Sequence, residues 1–390
     1  MREDNQIRQV LKIIENYTFA QPLSRFLSDF YKGNKQMGSR DRRQASQLLY
    51  NYFRLGKALS DKTTEERMAV GCYLCSGDNS PIIDYLLNKW RLPMATPNSP
   101  IQERLQQVQS KYNDFNLEDV FPFSEHVSEG IDKTLFITSF FKQPRLFIRI
   151  RKQYKAQVIH ELQKNAIAFE EDVNPFTLSF SNTTSLNNLE TFKKGYFEIQ
   201  DKSSQLIGNY FKAGTNEYWW DCCAASGGKS LLLIDQTPAI RLFVTDIRES
   251  ILNNLKERFS RVNFKNYTAK VMDLTSDAQI KEGLFDGILV DAPCTGSGTW
   301  SRTPEMITGF NEKDILKFQT IQQKISAAVI PFLKPGQPLI YSTCSVFKEE
   351  NEMVVDFLLK NHSVKMEEMA IIKGFRDGAD SMFAARLIKL

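Results

Sequence analysis

From residue 218 onward, four short apolar runs each close on an aspartate: residues 218–221, 242–246, 267–273 and 285–291, ending at Asp221, Asp246, Asp273 and Asp291. A helical pattern over residues 248–259 separates two of them, and a long helix over 314–333, a run over 337–344 and a helix over 349–360 follow. Short apolar runs alternating with amphipathic helices predict an α/β fold built on a doubly wound parallel sheet. Such sheets bind ligands outside the carboxyl ends of their strands. The four aspartates and the loops after them are therefore the first places to look for function.

The last of these loops is Asp291-Ala-Pro-Cys-Thr-Gly-Ser-Gly298, which puts a carboxylate, Asp291, three residues from a thiol, Cys294. Further on, Leu339-Ile-Tyr-Ser-Thr-Cys344-Ser345 repeats the arrangement, so two thiols at two strand ends can face one pocket. A lone cysteine is usually a small hydrophobe. Two of them beside a carboxylate are candidates for catalysis. The earlier loop, Asp221-Cys-Cys-Ala-Ala-Ser-Gly-Gly-Lys229, sets Cys223, Ala224, Ala225, Ser226, Gly227 and Gly228 between a strand and a helix that starts near Lys229. Small residues there let a ligand approach the backbone amides of the helix start. Asp246, at the end of the next strand, sits where an adenosine ribose is held through its hydroxyls, with Asp273 one strand further on and Asp291 toward the reacting end. This pattern predicts an adenosyl cofactor.

Composition narrows the alternatives. In 390 residues, 42% are hydrophobic and 25% charged, ordinary globular material with room for two or three domains. No apolar stretch is long enough for a membrane span and no export signal opens the chain, so a cytoplasmic location, reduced cysteines and, by default, a monomer are expected. Only 3 histidines occur, which argues against histidine-dependent hydrolysis. Cys72 and Cys75 have CxxC spacing but neither a second pair nor a nearby histidine, so the pair reads as helix packing and no metal is expected.

Residues 1–130 are read as a helical domain, residues 131–195 as a small α/β unit and residues 196–390 as the doubly wound domain. A bend or linker is expected over residues 92–100, where three prolines fall between Pro93 and Pro100. Residues 1–60 carry eleven Lys/Arg against five Asp/Glu, and residues 140–160 carry six with no acid. Local excesses of this kind attract a polyanion. In the helical part, Arg40, Arg42 and Arg43 surround Ser39 and Asp41, either of which could cap a helix, and suit phosphate contact. Near residue 150, Leu146, Ile148 and Ile150 alternate with Phe147, Arg149 and Arg151, followed by Lys152. That alternation predicts a strand with one apolar face and one basic, aromatic-bearing face fit for single-stranded nucleic acid.

The sequence resembles the RsmB/Sun (Nop/Sun) family of RNA 5-methylcytosine methyltransferases, through Lys194-Gly-Tyr-Phe-Glu-Ile-Gln-Asp-Lys-Ser-Ser204, the glycine loop, the Pro-Cys loop with Arg302-Thr-Pro304, and Ser342-Thr-Cys-Ser345 followed by Glu350-Asn-Glu352. The N-terminal helices, with Ser39-Arg-Asp-Arg42, resemble more loosely an antitermination-factor-like RNA-binding module. The resemblance implies a Rossmann-like sheet, S-adenosylmethionine as cofactor, an RNA partner, Cys344 as the nucleophile that adds to cytosine C6, Cys294 as the residue that assists release, and Asp291 on the base. DNA enzymes of this chemistry place their nucleophile in a Pro-Cys motif, which here would be Cys294. Small-subunit ribosomal RNA is the expected substrate, with transfer RNA or a non-catalytic RNA-binding assembly role as alternatives. One departure stands out: the family loop normally reads Cys-Ala-Ala-Pro-Gly-Gly-Lys, and Ser226 occupies the proline's place.

Overall fold

The computed structural model describes residues 2–75, 80–94, 99–276, 280 and 282–390; residues 95–98 of the proline-rich loop lie outside it. The chain divides into two compact units. The first comprises Met1–Glu125, Asp132–Gln143 and Trp300–Glu312, and the second His126–Ile131, Pro144–Thr299 and Lys313–Leu390. The boundaries therefore differ from a three-part reading of the sequence.

Helices build the first unit: Arg2–Asn16, Leu23–Gly33, Ser39–Arg54, Thr64–Leu74, Pro81–Lys89, Ile101–Lys111, Lys133–Ser139 and Glu305–Gly309. Thr64–Leu74 is buried on nearly every side, and Gly71 lets it approach Ser39–Arg54 so closely that a Cβ would lie 2.3 Å from the Asn51 carbonyl oxygen. Arg54 explains why two distant segments join this unit. Its buried guanidinium donates to the carbonyls of Phe140, Lys142 and Ser301. Neither Ser39 nor Asp41 caps the third helix: Gly38 is the N-cap, Ser39 lies inside, and Asp41 accepts a bond from Gln6. Cys72 and Cys75 are free thiols, Cys72 buried, and burial pushes both up to about 12.

The second unit opens with β1 (Leu146–Ile150), β2 (Glu170–Glu171), β3 (Thr177–Phe180) and β4 (Phe197–Ile199), an antiparallel sheet in the order β2-β3-β1-β4. Ile148, Ile150, Leu178, Phe180 and Phe197 pack on Val158 and Leu162 of the helix Lys155–Lys164. Its other face departs from expectation. Arg149 and Arg151 are both 7% exposed and pair with Asp235, while Arg151 also pairs with Glu198 at 3.2 Å. These two arginines are interior ion-pair partners, not an open RNA-facing stripe, because a carboxylate far along the sequence covers them. Lys152 is exposed.

The large sheet comprises β5 (Tyr218–Asp221), β6 (Arg241–Asp246), β7 (Tyr267–Val271), β8 (Gly287–Asp291), β9 (Pro338–Thr343), β10 (Val364–Lys373) and β11 (Ser381–Lys389), in the order β10-β11-β9-β8-β5-β6-β7. Strands β5 to β9 are parallel, but β11 runs antiparallel to both β9 and β10, so the sheet is mixed. Apolar layers cover both faces. Trp219 and Trp220, consecutive on β5, point to opposite faces as the pleat demands, one packing with Leu231 and Phe259, the other with Phe243, Phe285 and Phe332. The carboxyl ends of β5, β8 and β9 bring the loops beginning at residues 222, 292 and 344 to one edge.

Gly287 makes this packing possible, since a Cβ there would lie 2.3 Å from the Trp219 ring. Gly287→Ala should lower stability by about 1–3 kcal/mol, the usual cost of overpacking a filled core. A thermal melt checks it; an unchanged midpoint would show that the Trp219 layer yields.

Candidate active site

Asp291 ends β8 opposite Ser342 of β9, and the Ser342 hydroxyl donates to Asp291 Oδ1 at 3.1 Å. Three residues past Asp291 and one past the end of β9, Cys294 and Cys344 meet with their sulfurs 3.2 Å apart. Both thiols are partly exposed, while Thr295, Thr343 and Ser345 beside them are buried. The pair is therefore open to a substrate yet held from behind.

Glu350 does much of the holding. Its fully buried carboxylate accepts from Thr295 N at 2.9 Å, Thr295 Oγ1 at 2.5 Å, Gln322 Nε2 at 2.9 Å and the Ser345 hydroxyl, so it joins the loop after β8 to the loop after β9. Gln322, on the helix Lys313–Val329, also donates to the Pro293 carbonyl at 2.9 Å. Asn351 continues the lock, accepting from Thr343 Oγ1 and donating to Ser128 Oγ and the Ser345 carbonyl. Burial pushes Glu350 up, opposed by these donors. Gly298 closes the loop: its N–H donates to the Cys344 carbonyl at 2.9 Å, and a Cβ would lie 2.0 Å from the Ser381 carbonyl oxygen.

The second wall comes from β5. Its loop turns through Ala225 at φ 45° and Gly227 at φ 81°, the left-handed region that favours glycine. Leu255 and Phe259 press against Gly227, leaving no room for a side chain. The Ala225 N–H donates to Asp246 at 3.0 Å, and Arg258 donates to both the carbonyl and hydroxyl of Ser226 at 2.9 and 3.0 Å. Where a proline ring would fix the backbone, a guanidinium holds it.

Lys229, just inside the helix Gly228–Gln236, is 8% exposed and reaches Asp291 at 2.7 Å. Burial draws the ammonium down, but Asp291 outweighs it with help from Cys344, so Lys229 stays above its ordinary value and charged. Cys344 beside it, together with burial, pushes the Cys294 thiol well up, so Cys294 keeps its proton in this pair. Cys344 thus has a protonated thiol against its sulfur and a charged lysine within electrostatic reach.

The structure thus gathers Lys229, Asp291, Cys294 and Cys344. Asp246 is buried, and Arg248 occupies its Oδ1 as the glycine loop occupies its Oδ2. Asp273 is exposed, its Oδ1 closing a local turn with Thr275. Cys223 is half-buried against the core. In the helical unit Arg40 and Arg43 are exposed, while Arg42 turns back to donate to the Met37 carbonyl at 2.8 Å. Sequence reasoning missed the roles of Glu350, Gln322, Ser342 and Arg258; the Ser342-Thr-Cys-Ser345 and Glu350-Asn-Glu352 strings gave a signal for two of them.

Parallel strands with this order, helices on both faces and a small-residue loop after β5 define a Rossmann-like methyltransferase fold. Residues 210–387, a little under half of the chain, match the family described as 16S rRNA methyltransferase RsmB/F. Among curated relatives, ribosomal RNA small subunit methyltransferase B of Enterobacter sp. (strain 638) is 27% identical over 262 residues, 64% of this chain and 60% of that protein. Its counterpart from Proteus mirabilis (strain HI4320) is 30% identical over 224 residues, 56% of this chain and 53% of that protein. The chain thus spans little more than half the length of such relatives. The crystal structure of PH0851 superposes with TM-score 0.73 at 21% identity, covering 98% of each chain. NSun6 from Pyrococcus horikoshii, solved with SFG, gives 0.59 at 19% identity over 66% of this chain and 94% of that one. These two likenesses concern the fold. Among the described residues no helix is long and apolar enough to cross a membrane.

Asp221 offers a test of the buried electrostatics. Its carboxyl is 1% exposed, accepts from Ser230 Oγ at 2.5 Å and leaves Oδ1 without a side-chain partner; burial pushes it up to about 7. Unfolded, it would titrate near an ordinary value of about 4. Between those values the folded state binds the extra proton, so this stabilising contribution is full below about pH 4 and is lost as pH rises to about 7. Asp221→Asn should therefore gain stability relative to wild type between pH 5 and pH 8. Urea midpoints falling in parallel across that window would contradict the burial.

Proposed function

We propose that the chain is an S-adenosylmethionine-dependent RNA methyltransferase that modifies cytosine C5, with small-subunit ribosomal RNA as its substrate. The observation that carries this is the pair of thiols 3.2 Å apart beside the Lys229–Asp291 ion pair at a strand-end cofactor loop. The names of the curated relatives supply the substrate class.

The cofactor loop fits an adenosyl group. A Cβ on Gly228 would meet nothing closer than Arg258 at 4.0 Å, so the helix start is open to a ligand. Residues 223–229 would hold the cofactor, Asp246 would take its ribose once Arg248 swings away, and Asp273 has Oδ2 left over from its turn. When bound, S-adenosylmethionine supplies an electrophilic methyl group on a sulfonium.

Cytosine C5 is a weak nucleophile, and Cys344 solves this: its thiolate forms a bond to C6, and the ring electrons it displaces make C5 enamine-like. Asp291 positions the base by hydrogen bonding, and Lys229 keeps the local potential positive. After methylation C5 loses its proton, the electrons of that C–H bond restore the C5–C6 double bond, and the Cys344–C6 bond breaks. Cys294, holding its proton at the departing sulfur, assists that release. The target base must leave its stack to reach Cys344, which is cheapest in a loop or single strand. Arg40, Arg43 and Lys152, all exposed, would contact phosphates.

Labelled methyl should pass from S-adenosylmethionine to unmethylated small-subunit RNA and appear as 5-methylcytosine. Cys344→Ala should reduce it to background, and Lys229→Met should slow it by roughly 10²- to 10³-fold, the usual cost of one charge-stabilising group. Label only in transfer RNA would reassign the substrate; no S-adenosylmethionine binding would remove the enzymatic reading.

A further inference from the structure

Away from the thiols, the second unit carries a cleft of about 640 Å³. Its walls include Arg149 from β1, Lys152 from the short turn that follows it, Lys194 from the turn before β4, and Asp235 and Arg261 from the last turns of the helices Gly228–Gln236 and Glu249–Arg261. The first of those helices begins at the cofactor loop. Leu232, Ile234, Asp235 and Gln236 from the second half of that helix line the cleft, which lies along the helix away from its cofactor-loop end.

Charge in this cleft is unbalanced. Six cationic side chains line it against two acids, Asp172 and Asp235. Asp235 serves both Arg149 and Arg151, and Asp172 serves Lys202. Among the described residues Lys152, Lys194 and Arg261 have no carboxylate within salt-bridge distance; Arg261 lies over the Phe192 ring at 4.9 Å. Deeper in, Arg149 is 7% exposed and its Nη2 has no hydrogen-bond partner. An interior guanidinium nitrogen without a partner is destabilising. An anion would satisfy it.

We infer that this cleft is a phosphate-ester site separate from the methyl-transfer centre, taking a phosphate of a nucleotide, with Arg149 at its floor and Lys152, Lys194 and Arg261 at its rim. Phosphate fits the planar fork of an arginine and the point charge of a lysine. A phosphodiester of the RNA strand, which rests on the function proposed above, and a free nucleoside monophosphate share this chemistry.

The test compares wild type with Lys194→Gln/Arg261→Gln, and with Lys360→Gln/Lys365→Gln as a control of equal charge change on exposed lysines elsewhere. Affinity for a single-stranded oligoribonucleotide is measured against salt, and cytidine monophosphate is titrated by calorimetry. With RNA bound, the cleft variant should lower the slope of log affinity against log salt by about 1.4, two contacts at about 0.7 each, and the control should not. Cytidine monophosphate binding that the cleft variant loses identifies a free nucleotide instead, and establishes the site even where wild type binds no RNA and the RNA reading fails. Equal slopes in wild type and cleft variant, or an equal drop in the control, with no loss of cytidine monophosphate binding, overturn the site.

Discussion

Glu350 is the point on which the site's geometry depends. A carboxylate out of water is costly unless each oxygen finds donors, and here the donors come from the loop after β8, the loop after β9 and the helix between those strands. Satisfying one charge therefore fixes the relative position of two loops that sequence alone keeps fifty residues apart. The Cys294–Cys344 contact is a consequence. Beyond Asp291 and Ser342, where the β8–β9 register ends, this buried acceptor and the Gly298–Cys344 backbone bond hold the two strand-end loops at sulfur contact.

Opposite this lock, the charges are arranged in a second step. Lys229 comes from the β5 loop and Asp291 from β8, so their ion pair bridges the cofactor loop and the thiol pocket. The glycine loop and the end of β8 are thus coupled through one contact at low exposure, where electrostatic interactions act with less screening than at the surface. The network of Arg258, Glu198, Arg151 and Asp235 extends that coupling from Ser226 to the small antiparallel sheet.

Much of this was legible in the sequence, and the parts that were not have physical reasons. Strands β5, β6 and β8 announced themselves because buried strands read as short apolar runs and their aspartates mark the functional edge. The closing hairpin β10–β11 did not: residues 381–387 are buried without alternation, and no turn signal as strong as the Pro-Cys loop follows the helix Glu352–Asn361. Alternation around Arg149 and Arg151 correctly gave a strand with a basic face, yet alternation cannot say what covers a face; Asp235, more than eighty residues on, decided it. Likewise, the attachment of residues 300–312 to the helical unit rests on carbonyl contacts to Arg54 and on Glu305 accepting from the Leu23 N–H, contacts with no local pattern. The thiols, the carboxylate and the glycine loop were readable because their chemistry is carried by residue type and spacing. The residues that hold them were not, because holding depends on contacts distant in sequence.

The most direct test of the proposed division of labour between the two thiols is recovery of a covalent protein–RNA complex, resolved on a denaturing gel and mapped by mass spectrometry, after incubation with RNA and S-adenosylmethionine. The account predicts that Cys294→Ala accumulates an adduct joined through Cys344 and that Cys344→Ala gives none. An adduct recovered from Cys344→Ala and joined through Cys294 would contradict it.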